Sequence, residues 1–256
     1  MRKAIIGGTG IYDAFDQAEA KTILTAFGEV SYDLVNVEGT EIVFLARHGK
    51  SHNVPPHKIN YRANMMALKM LDVDEVYATC AVGSMNASFT PGDVVLINDF
   101  IDFTKHRIQT FFEGDLDKVA HVEMTDPYCA VLRKRFVEAV MSTSVDYKGE
   151  AVYVCTEGPR FETAAEIRMF KHIGGDVVGM TNCPESVLAK ELGLCYSAVG
   201  IITNWCTGIQ GDHIEGHQIN ESVLKNKLML TNIFVSILKT QSKEKTCKCD
   251  HSLIVV

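Results

Sequence analysis

Residues 194–204 read LCYSAVGIITN, a long stretch without a charge that forms a buried strand and ends on an amide. Just before it, DVVGM (176–180) reads as a strand and PESVLAKEL (184–192) as a helix opened by Pro184. The same alternation continues toward the N-terminus. KAIIGG (3–8), EIVFLA (41–46), EVYATCAV (75–82), DVVLIN (93–98) and AVYVCT (151–156) read as strands. Helical spacing covers 60–71 with Asn60 as N-cap, 127–141 with Pro127 in its first turn, 162–173 closed by Gly174-Gly175, and about 218–240. Such alternation predicts an α/β fold with a central sheet flanked by helices. With no linker or repeat, the chain reads as one domain over 1–241, followed by a loosely held tail over 242–256.

Bulk composition narrows the class. The chain has 256 residues, a formal charge of −7 and 46% hydrophobic residues, enough for a sizeable core. The acidic balance and the lack of a lysine- or arginine-rich block argue against nucleic acid as a partner. MRKAIIGGTG offers only a three-residue apolar run before Gly7, too short for a signal segment, and no window approaches the ~18 apolar residues of a membrane span. The expectation is a soluble, cytoplasmic protein. Six of its eight cysteines are scattered in apolar surroundings, as for buried thiols in a reducing compartment. Cys247 and Cys249 lie in the polar QSKEKTCKCDH and are expected to be two exposed thiols. The alternatives are a metal clip with His251 or a strained disulfide, although zinc motifs have wider spacing and four ligands.

In α/β folds ligands bind at the carboxyl ends of strands, so the turns there are the candidate site. GGTG (7–10) brings backbone N–H groups and the Thr9 hydroxyl toward an anion, but it is neither a dinucleotide fingerprint nor a Walker loop. ARHG (46–49) offers the Arg47 guanidinium fork, suited to phosphate, and the His48 imidazole. In ATCAVGS (78–84), backbone amides and the Thr79 hydroxyl could line the same pocket. In TEGPRFET (156–163), Glu162 reads either as a charge partner in the first turn of the next helix or as an acceptor for a ligand N–H beside an apolar wall from Phe161.

The stretches IIGGTGIY, ARHGKSHNVPPHKINYRANMMALK, AVGSMNASFTPGDVVLINDFIDFT, EGPRFETAAEIRMF, DVVGMTNCPESVLAKELGLCYSAV and IITN, in this order over about residues 3–238, closely resemble the trimeric purine nucleoside phosphorylases. The nearest branch is that of the methylthioadenosine phosphorylases. The resemblance implies a single-domain nucleoside phosphorylase fold with a mixed sheet. It also implies phosphate attack at C1′ of a purine nucleoside through an oxocarbenium-like transition state. Phosphate is a co-substrate, no metal or organic cofactor is implied, and the assembly is a homotrimer or a dimer of trimers. Thr9, Arg47, His48, the backbone of Ala81 and Thr181 match phosphate-binding positions. Cys80 replaces a threonine of the methylthioadenosine branch. Met180 matches the residue under the ribose, Phe161 the wall beside the base, and His121 a residue reaching the 5′ end of the substrate in a neighbouring subunit.

Base preference follows from two further positions. Asn204 stands where the adenine-preferring branch has aspartate, and Cys206 where it has a second one. An amide presents a donor and an acceptor together, as O6 and a proton at N7 require. Glu162 resembles the glutamate of 6-oxopurine enzymes that accepts from N1–H. Both point to 6-oxopurines: S-methyl-5′-thioinosine, inosine or guanosine. S-methyl-5′-thioadenosine, a hydrolytic nucleosidase and a non-catalytic purine-binding protein are the alternatives. His217, Asn220 and Val223 are candidates for the 5′ end, where His217 and Asn220 favour a hydroxyl and Val223 a methylthio group.

Overall fold

The structure is a computed structural model that describes residues 2–7, 18–114, 119–210, 216–240 and 246–256. Its elements run β1 (Arg2–Gly7), β2 (Glu19–Thr25), β3 (Gly28–Val37), β4 (Thr40–Ala46), α1 (Tyr61–Met70), β5 (Val73–Ser84), β6 (Val94–Phe103) and β7 (Ala120–Val122). They continue with α2 (Ala130–Val140), β8 (Tyr147–Thr156), α3 (Ala164–His172), β9 (Val177–Gly179), α4 (Asn182–Glu191), β10 (Cys195–Trp205), α5 (Gly216–Lys239) and β11 (Leu253–Val255).

The uncharged stretch at 194–204 is the second of two strands at the centre of the sheet. β5 and β10 are buried along almost their whole length and pair in parallel from Glu75↔Cys195 to Ser84↔Trp205. Their near-continuous apolar runs follow from helices covering both faces. The nine-stranded mixed sheet has the order β10-β6-β8-β9-β5-β1-β4-β3-β2, and the further β10–β5 pairing closes five of its strands on themselves. On one face α1 and α4 pack Met65, Leu68 and Leu188 into the core; on the other, α2 and α5 contribute Phe136, Ile233 and Phe234. Tyr77 of β5 stacks on Phe234 with ring centroids 4.9 Å apart, and its hydroxyl donates to the Leu132 carbonyl at 2.7 Å.

This topology leaves a gap that matters for function. β10 occupies one edge of β5. On the other edge β1 pairs only as far as Ala78, and β9 takes over only at Gly83. Among the described residues, Cys80, Ala81 and Val82 pair with neither β1 nor β9 there, which leaves their backbone groups on that edge to side chains or a ligand.

The expected strands and helices are present, including the Asn60 cap, whose side chain accepts from the Ala63 N–H; α2 starts at Ala130, so Pro127 precedes it, and α4 starts at Asn182, two residues before Pro184. Three differences have physical causes. The β2–β3 hairpin was not legible, because β2 (EAKTILT) is largely exposed and its order comes from pairing with β3. Helix α3 begins at Ala164 instead of 162: Thr163 is its N-cap, closed in a capping box with Glu166. The expected loose tail is instead ordered over 249–255, where a short 3-10 turn leads into β11, paired antiparallel with β7 (Leu253↔Val122, Ile254↔His121). That partner lies over a hundred residues away, so no local pattern announces it.

Candidate active site

A cavity of about 520 Å³ opens at the carboxyl ends of β4, β5, β9 and β10, a size suited to a small-molecule ligand. Arg47, His48, Ala81, Thr181, Phe161, Glu162, Met180 and Asn204, eight of the residues singled out in the sequence, all line it. Each stands at or just beyond a strand end, so the sheet order and not sequence proximity brings them together.

One end holds a buried guanidinium. Arg47 is fully buried, and its Nε and Nη2 donate to the two oxygens of Glu185, the latter at 2.7 Å. Its Nη1 donates to the Thr79 carbonyl of β5 at 2.8 Å. Of the five N–H donors of a guanidinium, these contacts leave two. Glu185 also accepts from the Tyr196 hydroxyl at 2.8 Å, and Tyr196 in turn accepts from Asn182 at 2.8 Å. Thr181 is the residue before α4; its hydroxyl makes no capping bond, while its N–H and that of Asn182 donate to the Tyr153 hydroxyl at 3.1 and 3.5 Å. Two expectations change here. Thr79 does not line the cavity; its carbonyl serves Arg47 instead. Cys80 lines it as a neutral thiol: burial pushes its pKa up to about 12, and its Sγ lies 3.6 Å from the Val199 carbonyl.

His48 completes this end as a neutral imidazole. Burial, then the charge of Arg47, push its pKa down to about 4. Nδ1 is 2.8 Å from the Val54 carbonyl. A carbonyl only accepts, so Nδ1 carries the hydrogen and Nε2 keeps a lone pair. Below its ordinary pKa of 6.5 the unfolded chain binds a proton that the folded chain refuses, so stability falls as pH drops from about 6.5 toward 4. Urea unfolding of the wild type and His48→Gln should show their stability difference shifting by about 2 kcal/mol against the wild type between about pH 7 and pH 5. A pH-independent difference would mean that His48 is not held neutral.

The other end pairs a fixed amide with a buried carboxylate. Asn204 is buried, and its Nδ2 donates to the Trp205 carbonyl at 2.9 Å while Oδ1 accepts from the Thr203 hydroxyl at 2.8 Å. The Trp205 carbonyl cannot donate, so the amide has one orientation only. One N–H and one oxygen lone pair remain. Glu162 lies outside α3, whose first-turn carboxylate is Glu166, and is buried facing the cavity. Of the two readings open for Glu162, the helix-charge partner is therefore excluded. Its Oε1 accepts from the Thr156 hydroxyl at 2.6 Å; burial pushes its pKa up and that bond pulls it back. Gly83 is required here: a Cβ would stand 2.9 Å from Cys206 Sγ and 3.3 Å from Asn204 Nδ2. Cys206 is buried and kept neutral by that burial.

Other predicted residues are not brought to the cavity. His121, expected to reach the substrate of a neighbouring subunit and not that of its own chain, is exposed on β7. Thr9 lies outside the described residues, as do the side chains of His217, Asn220 and Val223 on α5. Three contributions went unread in the sequence. Glu185 has no sequence signal beyond its place in the first turn of α4. The loop His52–Pro56 lines the cavity although it carries no strand-end signal. Arg107 donates to the carbonyls of Met180, Thr156 (3.2 Å) and Glu157 (2.5 Å), tying two cavity walls together. Nothing in the surrounding FTKHRIQT marks it.

The sequence model of the phosphorylase superfamily matches residues 2–239. A 6-oxopurine nucleoside phosphorylase of Pyrococcus furiosus is 45% identical over 98% of this chain and 97% of its own. A probable S-methyl-5′-thioinosine phosphorylase of Methanothermobacter thermautotrophicus is 41% identical over 97% of this chain and 88% of its own. Among solved structures, methylthioadenosine phosphorylase from Schistosoma mansoni in complex with adenine superposes with a TM-score of 0.87 at 31% identity, covering 93% of this chain and 91% of the other.

Proposed function

The chain belongs to the phosphorylase superfamily, and we propose that it is a purine nucleoside phosphorylase acting on 6-oxopurine nucleosides, releasing the free base and a ribose 1-phosphate. The observation that carries the proposal is one cavity with two differently built ends: the Arg47–His48–Thr181 anion end and the Asn204–Glu162 pair. In the reaction a phosphate oxygen forms the bond to C1′ as the C1′–N9 bond breaks, and the bonding pair leaves with the purine. Phosphate is already a nucleophile, so the protein's work is positioning and charge stabilisation. Arg47 and the N-terminus of α4 hold the phosphate. The remaining N–H of Asn204 donates to O6 and its oxygen accepts from a proton at N7, while Glu162 accepts from N1–H. Adenine carries a lone pair at N1 and an amino group at position 6, so it sets acceptor against acceptor at Glu162.

The relatives support this base preference by name: one acts on 6-oxopurine nucleosides and another is a probable S-methyl-5′-thioinosine phosphorylase. A trimer is part of the reading. Phe161 is a cavity wall yet 50% exposed, as expected of a residue that a neighbouring subunit or the substrate covers; a monomer in sedimentation would remove that element. Buried thiols support a reducing, cytoplasmic setting.

The decisive experiment measures base release with and without inorganic phosphate, over substrates that cross 6-oxo with 6-amino bases and 5′-hydroxyl with 5′-methylthio groups. Release from inosine or S-methyl-5′-thioinosine that requires phosphate is expected. Equal rates without phosphate would make the enzyme a nucleosidase, and no turnover of any of the four would make it a binding protein.

A further inference from the structure

Four cysteines from three distant parts of the chain converge, and none of them lines the cavity. Cys129 opens α2, Cys195 opens β10, and Cys247 and Cys249 stand in the C-terminal segment. Their sulfur atoms all lie within 4.8 Å of one another, and Cys195 Sγ is 3.3 Å from Cys247 Sγ. Three of the four are buried and Cys247 is half-buried. The C-terminal segment turns these two cysteines inward while Thr246, Lys248 and Asp250 face solvent. The expected pair of exposed thiols is therefore absent, and His251, with its side chain 81% exposed beside Asp250, is not the companion ligand.

Four sulfurs bound about 2.3 Å from a common centre stand about 3.8 Å apart. The cluster fits that tetrahedron, with every sulfur a neighbour of every other. Cys129 stands at the N-cap position of α2, which has no side-chain cap. The C-x-C spacing is narrow for a zinc motif read alone. The tertiary structure supplies the two missing ligands from the ends of α2 and β10.

We propose that Cys129, Cys195, Cys247 and Cys249 form a structural site for one thiophilic divalent cation of the zinc type. Binding joins the cation to four thiolates and releases four protons, with no change of oxidation state. The site fastens the C-terminal segment to the body of the protein. β11 is the sole strand partner of the three-residue β7 among the described residues, and a two-stranded ribbon is marginal without support. The backbone is close-packed where the segment docks: a Cβ on Gly193 would stand 3.3 Å from the Asp250 Cα. The cation thereby holds the strand that carries His121, independently of the chemistry in the cavity.

The test uses the full chain, purified anaerobically under reducing conditions, given Zn²⁺ and desalted. We expect one zinc per chain by elemental analysis and its release as an organomercurial titrates the thiols. Co²⁺ in its place should give the thiolate charge-transfer and tetrahedral d–d absorption bands. Cys247→Ser/Cys249→Ser should lose the metal and expose the C-terminal segment to limited proteolysis. A fully reduced wild-type chain that retains no zinc overturns the proposal without recourse to a variant. So does a wild-type chain whose intact mass shows the four cysteines paired as disulfides despite reducing purification.

Discussion

Arg47→Ala is expected to lower kcat/KM for phosphate by at least about 100-fold and to lower stability by about 3–5 kcal/mol. Both effects come from one arrangement. Arg47 and Glu185 are fully buried, so neither charge is screened by water. Three N–H groups are committed to Glu185 and the Thr79 carbonyl, which leaves two on a residue that lines the cavity. A charge-assisted hydrogen bond contributes about 1.5–3 kcal/mol, so losing two exceeds the ~2.7 kcal/mol that corresponds to 100-fold. Alanine also strands the Glu185 carboxylate with the Tyr196 hydroxyl as its remaining partner. The double variant Arg47→Met/Glu185→Leu removes the stranded charge, and buried pairs replaced by apolar groups are often neutral in stability. It should regain most of the stability and none of the phosphate use. Urea denaturation and phosphate kinetics of the two variants check this. Recovery of phosphate use in the double variant would reduce Arg47 to a structural role.

Asn204→Asp should shift the kcat/KM ratio of 6-oxo over 6-amino substrates by about 5- to 150-fold toward the amino bases, the range that one mispaired buried polar group supports. The fixed orientation of Asn204 is what makes the effect large. Its Nδ2 donates to the Trp205 carbonyl, and aspartate places an oxygen against that carbonyl. The new side chain must bind a proton or turn away, and either response removes the N–H offered to O6. Protonated, it can still serve N7, as 6-aminopurine substrates require. Competing inosine and adenosine against each other measures the ratio directly. An unchanged ratio would mean that Asn204 caps its loop without reading the base. Trp205 thereby has an assigned part: its backbone carbonyl orients the amide beside it.

Much of the site could be read from local residues because α/β folds place ligands at strand ends. ARHG, TCAVG, PRFE, GMT and IITN each follow or finish a strand, and each contributes to the cavity wall. What escaped has a common cause. Glu185 lies 138 residues from Arg47, and its pairing exists only because α4 packs beside the end of β4. Arg107 reaches three carbonyls from a stretch with no regular pattern. Glu162 was ambiguous until Thr163 and Glu166 proved to close the cap without it.

The chain's own residue order determined the alternation of strands and helices, the position of each binding turn and the choice of Asn204 and Glu162 over acidic or small alternatives. These are properties of short segments, set by apolar periodicity and by the donors and acceptors that a side chain carries. Only the tertiary structure decided that one edge of β5 passes from β1 to β9 between Ala78 and Gly83, that Arg47 is locked by Glu185, and that Cys129 and Cys195 meet Cys247 and Cys249. The physical reason is that such contacts depend on sheet order and helix docking. These join residues far apart in the chain and leave no mark on the segments around them.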